Sequence, residues 1–159
     1  MQVDAFLADS VVTAEGKLFV QGAGWDNINA PAFPYAHDRV GVGMVIRVPY
    51  TATNEEHRFV ITLEDEDGAE LPIGDAPPGV DTPDGKIRRI EGGFNVGRPP
   101  TLVAGDDQLI PLAINFNGLP FERPGRFTFV VQIDGTEAKR LPFRVHAIPS
   151  FGPMGPPQP

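Results

Sequence analysis

The stretch His57-Arg58-Phe59-Val60-Ile61-Thr62-Leu63-Glu64 decides the fold class. Phe59, Ile61 and Leu63 fall on one side of an extended chain and Arg58, Val60, Thr62 and Glu64 on the other, the period-two pattern of a half-buried strand. Arg126 to Ile133 repeats it with Phe127, Phe129, Val131 and Ile133, and Leu141, Phe143 and Val145 repeat it again near the end. Val40, Val42, Met44, Ile46 and Val48 form a wholly apolar face, with glycine, Val45 and Arg47 behind it, which predicts a central strand.

Working outward, further strands are expected over 2–12, 17–23, 86–96 and 108–116, with a short one near 69–73. Asp67-Gly68 and Asp134-Gly135 stand between strand patterns where hairpin turns accept positive φ, and Ala14-Glu15-Gly16 closes a first hairpin. Gly92-Gly93 reads as a bulge. Pro111 and Pro142 lack the N–H a ladder needs, so their strands are expected at edges or bulged. No segment shows a helical period with caps. The pattern predicts an all-β fold, an immunoglobulin-like antiparallel β-sandwich of about eight or nine strands without substantial helix. It fills residues 1–148, and 149–159 form a Pro/Gly-rich tail with little to bury.

The totals narrow the function. The chain has 159 residues, enough for one ordinary core, with 18 glycines and 18 prolines to supply turns. The absence of cysteine removes disulfides, thiolate metal sites and thiol nucleophiles, and suits a reducing compartment. Residues 1–12 lack the basic start and apolar run of a signal peptide, so a cytoplasmic location is expected. The net charge is −8 and the 13 basic residues are scattered, so neither nucleic acid nor a membrane is an expected partner.

Alternate loops of an antiparallel sandwich fall at opposite ends. Loops 25–39, 67–86 and 117–125 share one end and bring Trp25, Phe33, Tyr35, His37, Leu119 and Phe121 together. Loops 13–16, 50–56, 97–107 and 134–137 share the other, with Glu55, Glu56, Asp134 and Glu137 as solvated turn charge. Phe33, Tyr35, His37, Leu119 and Phe121 are therefore the candidate contact surface, while Gly22, Gly24 and Trp25 read as a glycine bend and a core anchor. The three histidines, His37, His57 and His146, sit on separate segments and do not suggest a metal or a triad; each is expected on the surface or partly packed. Ser10 and Ser150 stand in no nucleophile elbow. Gly22-Ala23-Gly24 and Gly41-Val42-Gly43 imitate half a dinucleotide fingerprint but lead into no helix. No catalytic group, metal or cofactor is expected.

The stretches ADSVVTAEGKLFVQGAGWDNI (8–28), RFVITLEDEDG (58–68), GRPPTLVAGDDQLIPLAINFNGLPF (97–121) and PGRFTFVVQIDGTEAKRLPFRV (124–145) resemble an uncharacterised family of small, mainly actinobacterial proteins. The resemblance spans about residues 3–146, implies an immunoglobulin-like sandwich, and implies no activity. The leading expectation is a non-catalytic protein-contact module, a homo-oligomer or a subunit of a larger assembly. A small-ligand or carbohydrate binder using Trp25, Phe33, Tyr35 and His37 is the second reading, a virion or shell decoration protein the third. An enzyme pairing Asp26 with His37 comes last.

Overall fold

The computed structural model describes residues 1–148, which form twelve strands and, as helix, one 3-10 turn at Tyr50–Ala52. The strands are β1 (Gln2–Ala8), β2 (Ser10–Ala14), β3 (Lys17–Gln21), β4 (Asn27–Ala30), β5 (Tyr35–Val48), β6 (Glu56–Asp65), β7 (Gly74–Asp75), β8 (Lys86–Ile87), β9 (Arg89–Asn95), β10 (Gln108–Phe121), β11 (Gly125–Ile133) and β12 (Thr136–Ala147). The 149–159 tail lies outside the described residues.

Two sheets form the body. One runs β1-β5-β10, the other β4-β12-β11-β6-β9, and only the β4–β12 pairing is parallel. Val42, Met44 and Ile46 from the first sheet and Ile61, Leu63, Phe129 and Val131 from the second are completely buried in one shared core. Each such side chain contributes about 1.5–3 kcal/mol by leaving water. Phe129 stacks on Phe116 across the core at 4.9 Å and on Phe143 at 5.7 Å.

The expected strands 57–64, 126–133 and 141–145 are present, and β5 is central in its sheet as its apolar face requires. Pro111 lies on β10, an edge strand. Pro142 lies on β12 below the reach of β4, which pairs only with Arg144 to Ala147, so its missing N–H faces an open edge. Glu15 and Gly16 carry φ of 50° and 70°, and Asp134 and Gly135 φ of 51° and 77°, the two left-handed residues a tight hairpin turn needs.

Four expectations are corrected. The strand expected over 2–12 breaks at Asp9, after which β2 and β3 form a separate ribbon that leaves both sheets. The segment near 69–73 forms a single bridge, Glu64 to Glu70, before the short β7–β8 ribbon. Gly92-Gly93 is no bulge: the β6–β9 register runs unbroken, and Gly92 is needed because the Phe59 ring lies where its Cβ would sit. The register shift falls instead at Val131/Gln132. Finally, β4 forms inside the expected 25–39 loop, and β5 and β10 run through segments expected to be loops, to Tyr35 and Phe121.

Gly41 and Gly43 explain where the ribbon goes. Both occupy the outer face of β5, and the ribbon lies over them: a Cβ at Gly43 would be 2.7 Å from the Phe6 ring and 3.1 Å from Val11 Cγ1, and one at Gly41 3.2 Å from Val11 Cγ2. Asn115, opposite Gly41 on β10, accepts from the Val11 N–H at 3.0 Å and donates to the Val11 carbonyl at 2.8 Å, standing in for a paired strand. The glycines are a seat for the ribbon, not part of a nucleotide loop. Gly43→Ala is expected to cost about 1–3 kcal/mol in urea unfolding, as overpacking does, and to expose β2 amides to hydrogen exchange well before those of β11.

Candidate functional site

The residues expected to gather at one end do meet there, but on strands more than on loops. Tyr35 pairs with Phe121 and His37 with Leu119 across β5 and β10. Alternation then turns Leu119 and Phe121 inward, where they are 0% and 1% exposed, and Phe121 packs on Phe127 at 4.8 Å. Their assignment to a contact surface is corrected. Phe33, Tyr35 and His37 are half-buried, and Trp25, expected in the core, also keeps part of its surface while packing against it.

Gly22 and Gly24 carry φ of 67° and 93°, which turns the chain from β3 toward β4 and brings Trp25 over the core. Gly22 also makes room for the Asp9 carboxylate, whose Oδ2 would lie 2.1 Å from any Cβ there. Trp25 meets Phe143 and His37 edge-on, with ring centroids 6.3 and 6.5 Å apart. Asp9, Trp25, Asn27, Asn29 and His37 thus line a recess of about 260 Å³. Tyr35 sits behind His37, its hydroxyl hydrogen-bonded to Nδ1 at 3.2 Å. Burial pushes the His37 pKa down, against the pull of the Asp38 and Asp9 carboxylates. The Trp25 indole N–H is buried and has no acceptor among the described residues. The set offers hydrogen-bond donors and acceptors beside an aromatic ring.

The large exposed apolar side chains lie elsewhere. Val12 and Phe19, directly opposed on the β2–β3 ribbon, are 56% and 51% exposed, and Val20, opposite Val11 on the other face, is 41% exposed. Val11, facing the other way, is buried against β5. The ribbon thus attaches through Val11 on one face, where Val20 stays partly outside, and presents the Val12–Phe19 face to solvent.

Comparison with known proteins adds a family to this geometry. The model of a family of unknown function, DUF6941, matches residues 3–146. The chain belongs to DUF6941. No curated protein matches it. Among solved structures it is similar to the Pseudomonas fluorescens alkylpurine DNA glycosylase AlkC bound to DNA containing an abasic site analog, at 14% identity and a TM-score of 0.39. That match covers 77% of this chain and 28% of the glycosylase chain, and a likeness so slight carries no argument about the DUF6941 chain.

At the opposite end the expectation that His57 lies on the surface or is only partly packed is corrected. His57 is buried, 6% exposed, with Nδ1 2.9 Å from Asp134 Oδ2 and Nε2 2.7 Å from the Ala52 carbonyl. Both partners are acceptors, so both ring nitrogens are best satisfied when protonated. The Ala52 carbonyl, with Asp134 adding to it, raises the His57 pKa above 6.5 in spite of burial. Burial works against the Asp134 charge, but the Arg58 backbone N–H and His57 overcome it and lower its pKa. This ring fastens the 50–56 segment to the β11–β12 turn, with Phe94 packed on it at 5.3 Å.

The stability His57 contributes is complete below its unfolded pKa, about 6.5, and is lost as pH rises through the higher folded value. The Asp134 share is present above 3.8 and is lost as pH falls. In urea unfolding, the stability gap between wild type and His57→Gln is expected to be widest near about pH 5.5 and to narrow steadily above about pH 7.

Proposed function

We propose that this DUF6941 chain is a non-catalytic protein-contact module of the cytoplasm that associates through the free edge of its β2–β3 ribbon with a second copy of itself. The observation that carries this reading is the solvent-facing Val12–Phe19 pair beside β3, whose outer edge pairs with no strand among the described residues. An apolar, proline-free strand edge is a template for another strand. Charge favours a second copy as the occupant: Ser10 to Gln21 carry one acid, Glu15, and one base, Lys17, in a chain of net charge −8. Two copies meeting here avoid the repulsion that most other pairings of the acidic surface incur. Antiparallel pairing centred on Phe19 sets Phe19 against its counterpart and Leu18 against the other copy's Val20, as a two-fold contact requires.

The order of strands supports an immunoglobulin-like sandwich as the scaffold. The β1-β5-β10 sheet and the β12-β11-β6 core of the other sheet follow the arrangement of such domains, with the chain passing between sheets from β5 to β6 and again from β9 to β10 and β10 to β11.

Sedimentation equilibrium tests the contact. A mass rising toward twice the 17.2 kDa monomer at chain concentrations up to about 1 mM is expected, with Phe19→Asp staying monomeric and equally stable. A strictly monomeric wild type would overturn the proposal.

A second reading rests on the Asp9–Trp25–His37 recess. Its volume and its mixture of an aromatic ring with Asn and Asp side chains support a small polar ligand such as a monosaccharide. Titration of hexoses should quench Trp25 fluorescence, this being the one tryptophan, and Asn29→Ala should weaken the effect about tenfold. Unchanged fluorescence with every sugar would remove this reading.

A further inference from the structure

The β11–β12 register sets Arg126 directly opposite Arg144 on the outer face of the sheet, with Thr128 opposite Pro142 next to them. Directly opposed side chains in an antiparallel pair have Cβ atoms about 4.5–5.5 Å apart, and like charges so placed repel. The rest of the molecule does not leave its arginines this way. Arg47, Arg58, Arg88, Arg89, Arg123 and Arg140 each form an ion pair with a carboxylate. Arg39 donates to Asn117 at 2.9 Å, and Arg98 donates to the Tyr50 carbonyl at 3.0 Å while lying over the Tyr50 ring. Of the ten arginines, Arg126 and Arg144 alone lack an ion pair or side-chain hydrogen bond among the described residues. The two directly opposed cations repel one another, and an anion bound between them would remove that repulsion.

The same two residues line an open hollow of about 810 Å³. Thr128, whose hydroxyl is a further donor, and Pro142 line it beside the two arginines. Asp26 and the Asp65-Glu66-Asp67 turn stand around its rim without pairing with either guanidinium. A long polyanion would be repelled by that rim, whereas a compact anion fits inside it.

We propose that Arg126 and Arg144 form a binding site for a phosphate group. Two guanidinium forks carry two positive charges and match a dianion with three terminal oxygens, while a carboxylate has one charge and needs only one fork. The site is distinct from the ribbon edge and shares Asn27 with the tryptophan recess, and binding there joins the opposed cations instead of leaving them in conflict.

The test is a titration of the full chain in phosphate-free, low-salt buffer, read by NMR at the Arg126 and Arg144 Nε–Hε signals and the Thr128 amide. Inorganic phosphate is expected to give saturable shifts with a Kd of about 1 mM, and acetate at least about tenfold weaker ones. Arg126→Gln and Arg144→Gln should each weaken phosphate about tenfold, while Arg47→Gln, at a paired arginine, should leave it unchanged. Glycerol phosphate separates the two sources of the group: binding as tight as inorganic phosphate marks a phosphate monoester as the ligand, and exclusion marks the free ion. Absence of saturation, equal binding of acetate, or unaltered binding in the Arg126→Gln/Arg144→Gln double variant would overturn the proposal.

Discussion

The two faces of β5 set the rest of the structure. On one face Val40, Val42, Met44, Ile46 and Val48 are wholly excluded from water and supply the first sheet's share of the core. On the other, Gly41 and Gly43 have no side chains, and that vacancy lets Phe6 and Val11 close onto the backbone. A strand with side chains on both faces would still build the core but would push the ribbon away. One fourteen-residue segment thus holds together the body and determines what lies on it.

The consequence runs from packing to surface chemistry. Asn115 grips both backbone groups of Val11, so the ribbon is fixed at its root while Val12 and Phe19 remain outside. Seven of the 13 basic residues are compensated locally, in pairs such as Arg89–Glu70 and Arg140–Glu64, which add little to stability. Against that background two departures stand out: a neutral apolar ribbon on an acidic molecule, and a pair of opposed arginines without acids. Both are surfaces whose local physics is incomplete in the isolated chain.

The body of the fold was legible because burial on one face writes itself as alternation, and 57–64, 126–133 and 141–145 carry that signal without interruption. The extension of β10 to Phe121 was not, because Gly118, at φ 64°, and Asn117 look like a turn although Leu119 resumes the pairing with His37. That hidden continuation is why Leu119 and Phe121 looked available for contact and are instead core. The burial of His57 was readable in principle: it lies in phase with Phe59, Ile61 and Leu63, so the strand that buries them buries it too. Trp25, Tyr35 and His37 were grouped because they share one expected loop, 25–39, and the structure does make them neighbours. The ribbon's position was beyond reach, because nothing in a Gly-x-Gly pair says which distant segment will sit on it.

Hydrogen exchange at the β3 edge bears most directly on whether that ribbon is an interface. The two-residue turn makes Ala14 and Lys17 a hydrogen-bonded pair, so the Leu18 and Val20 amides point away from β2 toward solvent. Their exchange should slow as chain concentration rises from about 10 μM to about 1 mM, while the Phe19 amide, already bonded to β2, changes little. Rates at Leu18 and Val20 that stay independent of concentration would contradict the role assigned to the ribbon.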